Sequence, residues 1–400
     1  MPIHTAHPET GEPITIGIKE TSFVVSPRYG ESYSFDRAGR LIGCYYQGRS
    51  YQRALDGRLV ERRKPTERPR RRTLPPEERD RLLEHVFGEL RALEVALPRM
   101  ALAEPDRARF ADALRRALDF GPQRLARDGE AFRALYKPVS ILPPDQYLAL
   151  VLQATEGCSW NKCTFCGLYR DRAFRVRSAQ EFREHCARVR DFFGEALALR
   201  RGIFLADANA LVLSMARLRE IFATAQEHFR LPHGPRPVYS FVSAFDVGHK
   251  SAEEWRELHD LGLERAYIGL ETGDDALLRF LNKPGNVQDA VNAVHALRAG
   301  GVAIGVILMA GIGGARYAEA HVAHSVEAVR AMQLGPRDQV YLSTYVPAPH
   351  TEYPALAAEA GIRALGEAEV REQLRALQAG VRAVAPQTRV APYLVEGFAF

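Results

Sequence analysis

From about residue 146 onward, short continuous apolar runs alternate with longer amphipathic segments. Apolar runs of four to eight residues between turns are typical of buried strands, and apolar residues three and four apart are typical of helices. The predicted strands are 147–154, 202–206, 238–244, 265–270, 302–309 and 339–346. The predicted helices between them are 178–195, 214–229, 251–261, 287–299 and 316–333. Continuous apolar strands separated by helices predict a parallel sheet that is covered by helices.

This alternation fits either a doubly wound sheet or part of a βα barrel. In both architectures the functional side chains come from the carboxyl ends of the strands and from the loops that follow them. We therefore expect the chemistry of this chain in those loops.

The first 145 residues have a different pattern. Short β-branched and aromatic runs separated by turn signals come first, and two amphipathic helical stretches follow at 77–97 and 107–120. The C-terminal part contains one more predicted helix, at 366–384, and a short apolar tail. The pattern thus predicts four segments: a small β-rich extension at 1–75, a helical connector at 76–145, a βα core at 146–346 and a C-terminal extension at 347–400.

Composition places the chain among globular proteins. Its 400 residues are 46% hydrophobic and 26% charged, which excludes a disordered, collagen-like or disulfide-stapled chain. The longest apolar run, around Val302 to Ala310, is too short to span a membrane. The N-terminus has no basic and apolar segments of the secretory type, so we expect a cytoplasmic protein with no membrane partner.

The net charge of +5 is concentrated in one place. Residues 53–72 hold nine basic and three acidic residues, so the rest of the chain is close to neutral. The most basic stretch, 62–72, is suited to docking nucleic acid or another polyanion through phosphate contacts. A solvated linker interrupted by prolines explains the same composition.

The five cysteines are unevenly distributed. Cys158, Cys163 and Cys166 lie on the loop after the first core strand with C-x4-C-x2-C spacing. Thiolates so close together bind a soft metal or a metal cluster. Structural zinc requires a fourth ligand, and the nearest candidates, His185 and Cys186, lie on the following predicted helix. Three ligands suit a 4Fe–4S cluster with one iron open to another ligand.

The remaining two cysteines, Cys44 and Cys186, lie far from this loop in the sequence. They are most simply small buried hydrophobic residues. The sequence therefore supplies ligands for one cluster and not for a second.

The cysteine loop resembles the cluster loop of the radical S-adenosylmethionine (radical SAM) superfamily, and residues 146–346 resemble its core. The resemblance implies an α/β fold: a partial (βα)6 TIM-like barrel with a β-rich and helical N-terminal extension and a short helical C-terminal extension. Most members have C-x3-C-x2-C spacing, and the extra residue here resembles an uncharacterised, iron–sulfur oxidoreductase-like subgroup. Phe165, just before the third cysteine, matches the family position beside the adenine of the cofactor.

The resemblance also implies cofactor-binding positions at the ends of the second and fifth strands. The family has a Gly-Gly-Glu turn after its second strand. Here Ala206 and Asp207 take that place, with a backbone carbonyl and a carboxylate for the methionyl amino group. A cap on the next helix or turn is the other interpretation of Asp207. On the fifth strand, Gly305 and Ile307 match the adenine side.

A third position follows the fourth strand, where GLET resembles the family segment that faces the ribose or carboxylate of the cofactor. Glu271 and Thr272 are the matching residues. In the alternative interpretation, Glu271 pairs with a nearby arginine, while Asp274 and Asp275 cap the following helix.

The resemblance implies an enzyme that binds one 4Fe–4S cluster and S-adenosylmethionine. It would cleave that cofactor reductively to a 5′-deoxyadenosyl radical, which abstracts hydrogen from an unidentified substrate, either a small molecule or a macromolecule. A reducing electron donor is a further implied partner, and no catalytic residue is assigned. The alternative is a non-catalytic zinc or iron–sulfur module that docks nucleic acid through residues 62–72. A radical enzyme that grips RNA with the same segment would combine the two.

Overall fold

A computed structural model describes residues 2–63, 71–395 and 400, and these form two compact units. The first unit comprises Met1–Pro138, Arg188–Arg201 and Glu396–Phe400; the second comprises Val139–Ala187 and Gly202–Val395. The predicted boundary at residues 75 and 76 lies inside the first unit, and the predicted boundary at residues 346 and 347 lies inside the second. The boundaries of the four predicted segments therefore do not coincide with the boundaries of the two compact units.

The first unit contains an eight-stranded antiparallel sheet in which each strand pairs with the next along the chain. Apolar side chains alternate along the strands, as with Phe23 and Val25, and the buried face shares one core with the following helices. The strands are β1 Ile3–Ala6, β2 Pro13–Ile18, β3 Ser22–Ser26, β4 Ser32–Asp36, β5 Leu41–Tyr46, β6 Arg49–Arg53, β7 Leu59–Arg62 and β8 Arg71–Thr73. The helices are α1 Pro76–Ala96, α2 Glu104–Phe120 and α3 Pro122–Leu135.

The basic stretch lies around β7 and β8, and residues 64–70 of it are outside the described part of the chain. Arg72 pairs with Glu61 at 2.8 Å and with Glu78 at 2.7 Å. Arg49 pairs with the same Glu61 at 2.6 Å. The charge of the described arginines at this edge is thus partly balanced by carboxylates.

The second unit is built on a seven-stranded parallel sheet with the order β9-β12-β13-β14-β15-β16-β17. These strands are β9 Leu150–Gln153, β12 Ile203–Ala206, β13 Val238–Phe241, β14 Leu263–Glu271, β15 Ala303–Ala310, β16 Gln339–Thr344 and β17 Arg389–Tyr393. A small antiparallel pair, β10 Thr155–Glu156 and β11 Arg175–Val176, flanks the cysteine loop. The predicted α/β class with a parallel sheet and a β-rich N-terminal region is confirmed.

The last strand, β17, was not predicted. Its sequence RVAPY contains Pro392, and a proline inside a short run argues against a strand unless the strand lies at an edge. Because β17 pairs only with β16 and is an edge strand, the missing N–H of Pro392 is tolerated. The region predicted as a C-terminal extension therefore contributes a seventh strand to the core sheet.

Helices connect the parallel strands as predicted, and the prediction missed several short helices. The helices from residue 179 onward are α4 Ala179–Phe193, α5 Met215–Phe229, α6 Ala244–Val247, α7 Ala252–Asp260, α8 Asp275–Phe280, α9 Val287–Ala299, α10 Gly314–Met332, α11 Tyr353–Glu359 and α12 Glu367–Val384. Helix α4 begins in the second unit, and its residues from Arg188 belong to the first. Over the described residues, none of the helices combines the length and the apolar character needed to cross a bilayer.

Candidate cluster and cofactor site

A cavity lies in the second unit and is lined by residues from the ends of β13 to β17 and from the cysteine loop. Cys158, Cys163 and Cys166 all line it. Its wall is mainly apolar and aromatic, and among the described residues only Glu271 and Lys283 place a permanent charge on it. The cavity is therefore at the place where parallel α/β sheets carry their chemistry.

The segment after α8 forms hydrogen bonds with the cysteine loop at three residues that lie between the cysteines. Thr164 donates its backbone N–H to the carbonyl of Leu281 at 3.0 Å. Trp160 donates its indole N–H to the carbonyl of Asn282 at 2.8 Å, and the Asn282 amide donates to the carbonyl of Lys162 at 3.0 Å. These bonds fix the backbone between the cysteines before any ligand is bound.

Burial changes the acidity of the thiols. It raises the pKa of Cys163 to about 11 and also raises the pKa of Cys166. Thiols in this environment are protonated at neutral pH, so a metal that binds them must displace protons. Across the described residues, no three His, Cys, Asp or Glu side chains converge closely enough for a single metal ion. Three thiols on the wall of one cavity are the ligands that a cluster with one open iron requires.

Glu271 and Lys283 form the charged part of the cavity wall. Their side chains lie 3.3 Å apart, and the Lys283 ammonium also donates to the carbonyl of Gly269. Burial lowers the pKa of Lys283, but the Glu271 carboxylate and the nearby Cys163 outweigh it, so the pKa is raised. The second carboxylate oxygen of Glu271, Oε2, is buried and has no hydrogen-bond partner among the described residues.

The backbone at Glu271 makes this arrangement possible. Glu271 has φ of +64°, a left-handed conformation that is unfavourable for a side chain with a Cβ, and the pairing of β14 with β15 is irregular there. A Cβ at Gly269 would collide with the Glu271 carboxylate. The glycine of the GLET segment thus leaves room for the charged pair.

Asp207 and Ala206 do not line the cavity. The Asp207 carboxylate is buried and accepts hydrogen bonds from the Gly157 N–H and from the Gln153 side-chain amide, both at 2.9 Å. The Arg172 guanidinium lies 3.3 Å from it. Asp207 therefore holds the first residue of the cysteine loop, and its predicted contact with a cofactor amino group receives no support from this placement.

Two further predicted residues also lie away from the cavity. Thr272 is fully buried, and its hydroxyl oxygen lies 2.8 Å from His321 Nδ1 and accepts the Asp274 N–H at 3.1 Å. Gly305 is covered by the ring of Tyr267, which a Cβ at this position would displace. The structure brings Phe165, Glu271 and Ile307 to the cavity with the three cysteines, but not Thr272 or Gly305.

Residues that the sequence analysis did not single out complete the wall. Lys283 comes from the loop after α8, and Asn209 from the loop after β12. The Asn209 amide donates to the Ser159 hydroxyl at 3.0 Å and to the Asp246 carboxylate at 2.6 Å. A lysine at position 283 is visible in the sequence, but its contact with Glu271, which lies 12 residues earlier, is revealed only by the fold.

The other two cysteines are buried outside this cavity, as expected. Burial raises the pKa of Cys44 to about 12 and that of Cys186 to about 12. Neither lines the cavity, so neither is a candidate ligand.

Comparison with known proteins identifies the family. Residues 152–326 match the sequence model of the radical SAM superfamily. This segment runs from β9 through the cysteine loop and β15 into α10, so it includes the cysteines, Glu271 and Lys283. This segment therefore carries a domain of the radical SAM superfamily, whose members are enzymes that use a 4Fe–4S cluster and S-adenosylmethionine. None of the curated proteins compared with the chain matches it.

Several solved structures are similar to this chain at low sequence identity. Coproporphyrinogen III oxidase (HemN) from Escherichia coli is 15% identical, with 66% of this chain and 56% of that chain covered and a TM-score of 0.43. Methylornithine synthase (PylB) is 15% identical, with 80% and 86% covered and a TM-score of 0.40. The cobalamin-dependent radical enzyme OxsB is 14% identical with a TM-score of 0.37; the overlap covers 59% of this chain but only 32% of that one.

Proposed function

We propose that the protein cleaves S-adenosylmethionine reductively at a 4Fe–4S cluster and uses the resulting radical to take hydrogen from a substrate. The observation that carries this proposal is the shared cavity. Three cysteine thiols from one loop, an aromatic ring next to them and a buried Glu271–Lys283 pair face the same space.

The donor set fits both cofactors. Cys158, Cys163 and Cys166 would each hold one iron and leave the fourth iron without a protein ligand. The partnerless Oε2 of Glu271 is a buried acceptor that suits a cationic amino group, and the Lys283 ammonium suits a carboxylate. When bound, the cluster supplies one electron, which cleaves a carbon–sulfur bond of S-adenosylmethionine to give methionine and a 5′-deoxyadenosyl radical.

The chain itself positions these groups and excludes water. Phe165 offers a ring for the adenine, and Ile307 an apolar wall. The apolar lining keeps solvent away from a reactive radical, which would otherwise be quenched by side reactions. An external reductant of low potential remains a required partner, because the described residues contain no second group of clustered cysteines.

The alternative function, a metal-binding module that docks nucleic acid, is less well supported. Within the described part of the basic stretch, Arg72 pairs with Glu61 and Glu78, and Arg63 lies 3.5 Å from Glu61. The thiols do not converge on one metal ion in the part of the chain that the structure describes. We therefore give the basic stretch no role in the proposed chemistry.

The test is production of 5′-deoxyadenosine from S-adenosylmethionine by protein that has been reconstituted with iron and sulfide anaerobically and reduced chemically. We expect product from the wild type and none from Cys163→Ala. Cys186→Ala is the control, since this cysteine is buried outside the cavity, and the variant should retain its iron and its activity. Tightly bound zinc in place of iron, with no product, would refute the proposal.

A further inference from the structure

The edge strand β17 contributes a tyrosine to the cavity wall. Tyr393 is the last residue of β17, is 2% exposed and lines the cavity. It lies outside residues 152–326, the segment that matches the family model.

Strand register places Tyr393 in a row of cavity residues. It lies opposite Ser343 on β16, and Ser343 lies opposite Met309 on β15. All three line the cavity, and the Ser343 hydroxyl donates to the carbonyl of Leu308 at 3.1 Å. The row therefore consists of the thioether of Met309, the hydroxyl of Ser343, which already donates a hydrogen bond, and the phenol of Tyr393.

The Tyr393 hydroxyl is buried and has no hydrogen-bond partner among the described residues. The hydroxyls of the two neighbouring tyrosines, in contrast, are engaged: Tyr267 and Tyr341 both donate to Asp145 at 2.6 Å. Leaving a buried polar group without a partner costs about 1–3 kcal/mol. Only two buried polar side-chain atoms of the described cavity wall lack a partner, Glu271 Oε2 and the Tyr393 hydroxyl oxygen.

The chemistry of the wall limits what can reach this hydroxyl. Burial keeps the pKa of Tyr393 well above its ordinary value, so the group is a neutral donor. On the described part of the wall the only fixed charges are Glu271 and Lys283, and the proposed function already assigns both to S-adenosylmethionine. A phosphate or other strongly charged group would lose its hydration without gaining a free counter-charge. The aromatic and aliphatic side chains favour a substrate that is mostly apolar.

We propose that Tyr393 positions the substrate: its hydroxyl donates a hydrogen bond to an acceptor, such as a carbonyl or hydroxyl oxygen, on a small, uncharged and largely apolar compound. This inference rests on the proposed function, because it concerns the substrate of the same cavity. Under this inference β17 both extends the sheet and supplies a residue that binds the substrate.

The experiment uses reduced holoprotein with S-adenosylmethionine and measures 5′-deoxyadenosine with and without added fractions. A small-molecule extract of the organism that encodes the protein is separated by ion exchange into uncharged, anionic and cationic fractions, and the macromolecular fraction is kept. We expect the uncharged fraction to stimulate 5′-deoxyadenosine formation. Stimulation only by a charged or macromolecular fraction, or by none, would overturn the inference.

Two variants separate a substrate contact from a structural role. Tyr393→Phe should raise the amount of uncharged fraction needed for half-maximal stimulation about 2- to 13-fold, the equivalent of one hydrogen bond of about 0.5–1.5 kcal/mol. Its affinity for S-adenosylmethionine, measured separately by equilibrium dialysis, distinguishes a lost substrate contact from a disturbed cofactor site. Tyr341→Phe, whose hydroxyl points to Asp145 and whose side chain does not line the cavity, is the control and should keep the wild-type half-saturation.

The outcomes distinguish the two proposals. Protein that holds a full cluster but forms no 5′-deoxyadenosine under any condition contradicts the proposed function. Two other outcomes contradict the role of Tyr393 but not the proposed function. In the first, Tyr393→Phe forms product and needs the same amount of uncharged fraction for half-maximal stimulation as the wild type. In the second, Tyr393→Phe forms product and only its affinity for S-adenosylmethionine is reduced.

Discussion

Asp207→Asn should loosen the cysteine loop while leaving the three thiols in place. In the wild type one carboxylate accepts the N–H of Gly157, which directly precedes Cys158, and the amide of Gln153. An asparagine has the same shape but only one acceptor oxygen, so its NH2 group must face one of these two donors. It also removes the negative charge opposite Arg172.

The magnitude follows from these contacts. A buried donor that loses its partner costs about 1–3 kcal/mol. Burial disfavours the ionised carboxylate and raises the pKa of Asp207. The uncharged asparagine does not have this desolvation cost, so the substitution destabilises the loop by less than the full loss of the hydrogen bond. We expect a net loss of about 2 kcal/mol, which corresponds to roughly a 30-fold change in the equilibrium between closed and open loop.

The assay is the rate at which a chelator removes iron from anaerobically reconstituted protein, followed by absorbance. Asp338→Asn is the matched control. Asp338 is also buried, accepts the N–H groups of Ile304 and Gly335 at 2.8 Å each and faces Arg298 at 3.4 Å, but it does not line the cavity.

Both variants should lower the free energy of unfolding of the metal-free protein, but only Asp207→Asn should lose iron about 30-fold faster than the wild type. Equal rates of iron loss in Asp207→Asn and wild type would refute the reasoning. Equally fast loss in Asp338→Asn would show that the effect is general destabilisation.

Two further predictions concern charged and titratable groups of the second unit. Lys283→Met should weaken S-adenosylmethionine binding at least tenfold, about 1.4 kcal/mol, because it removes the ammonium that pairs with the carboxylate of the cofactor under the proposed function. Equilibrium dialysis measures the affinity, the exposed Lys162→Met serves as control, and an unchanged affinity would contradict the prediction. Burial lowers the pKa of His321 from 6.5 to about 4, so the unfolded chain binds this proton first as the pH falls. The free energy of unfolding should then decrease between pH 6.5 and pH 4 by up to about 3 kcal/mol, and denaturant titrations of His321→Gln should show a smaller decrease; parallel curves would argue against it.

The candidate site was predictable where its residues are neighbours in sequence. Cys158, Cys163 and Cys166 lie within nine positions, so any fold of that loop keeps them close, and their spacing identified the family. The alternation of apolar runs and helices was also sufficient for the parallel sheet, because burial on both faces requires continuous apolar strands.

Single positions on the strand ends were less predictable. Glu271 and Thr272 were paired by motif, but only Glu271 faces the cavity, while Thr272 bonds to His321 behind it. Glu271 ends β14 with a left-handed backbone and Thr272 lies beyond the strand, so strand alternation does not predict which of the two faces the cavity.

The sequence by itself determined the class of protein, the parallel α/β core and the three thiols, because each depends on residue types at short spacing. Tertiary structure alone decided that Lys283 faces Glu271, that Asp207 supports the loop and that Tyr393 from an edge strand reaches the cavity. These contacts join residues that are distant along the chain, apart from the nearer Glu271–Lys283 pair. Their geometry depends on strand order, register and local backbone conformation, which no local pattern encodes.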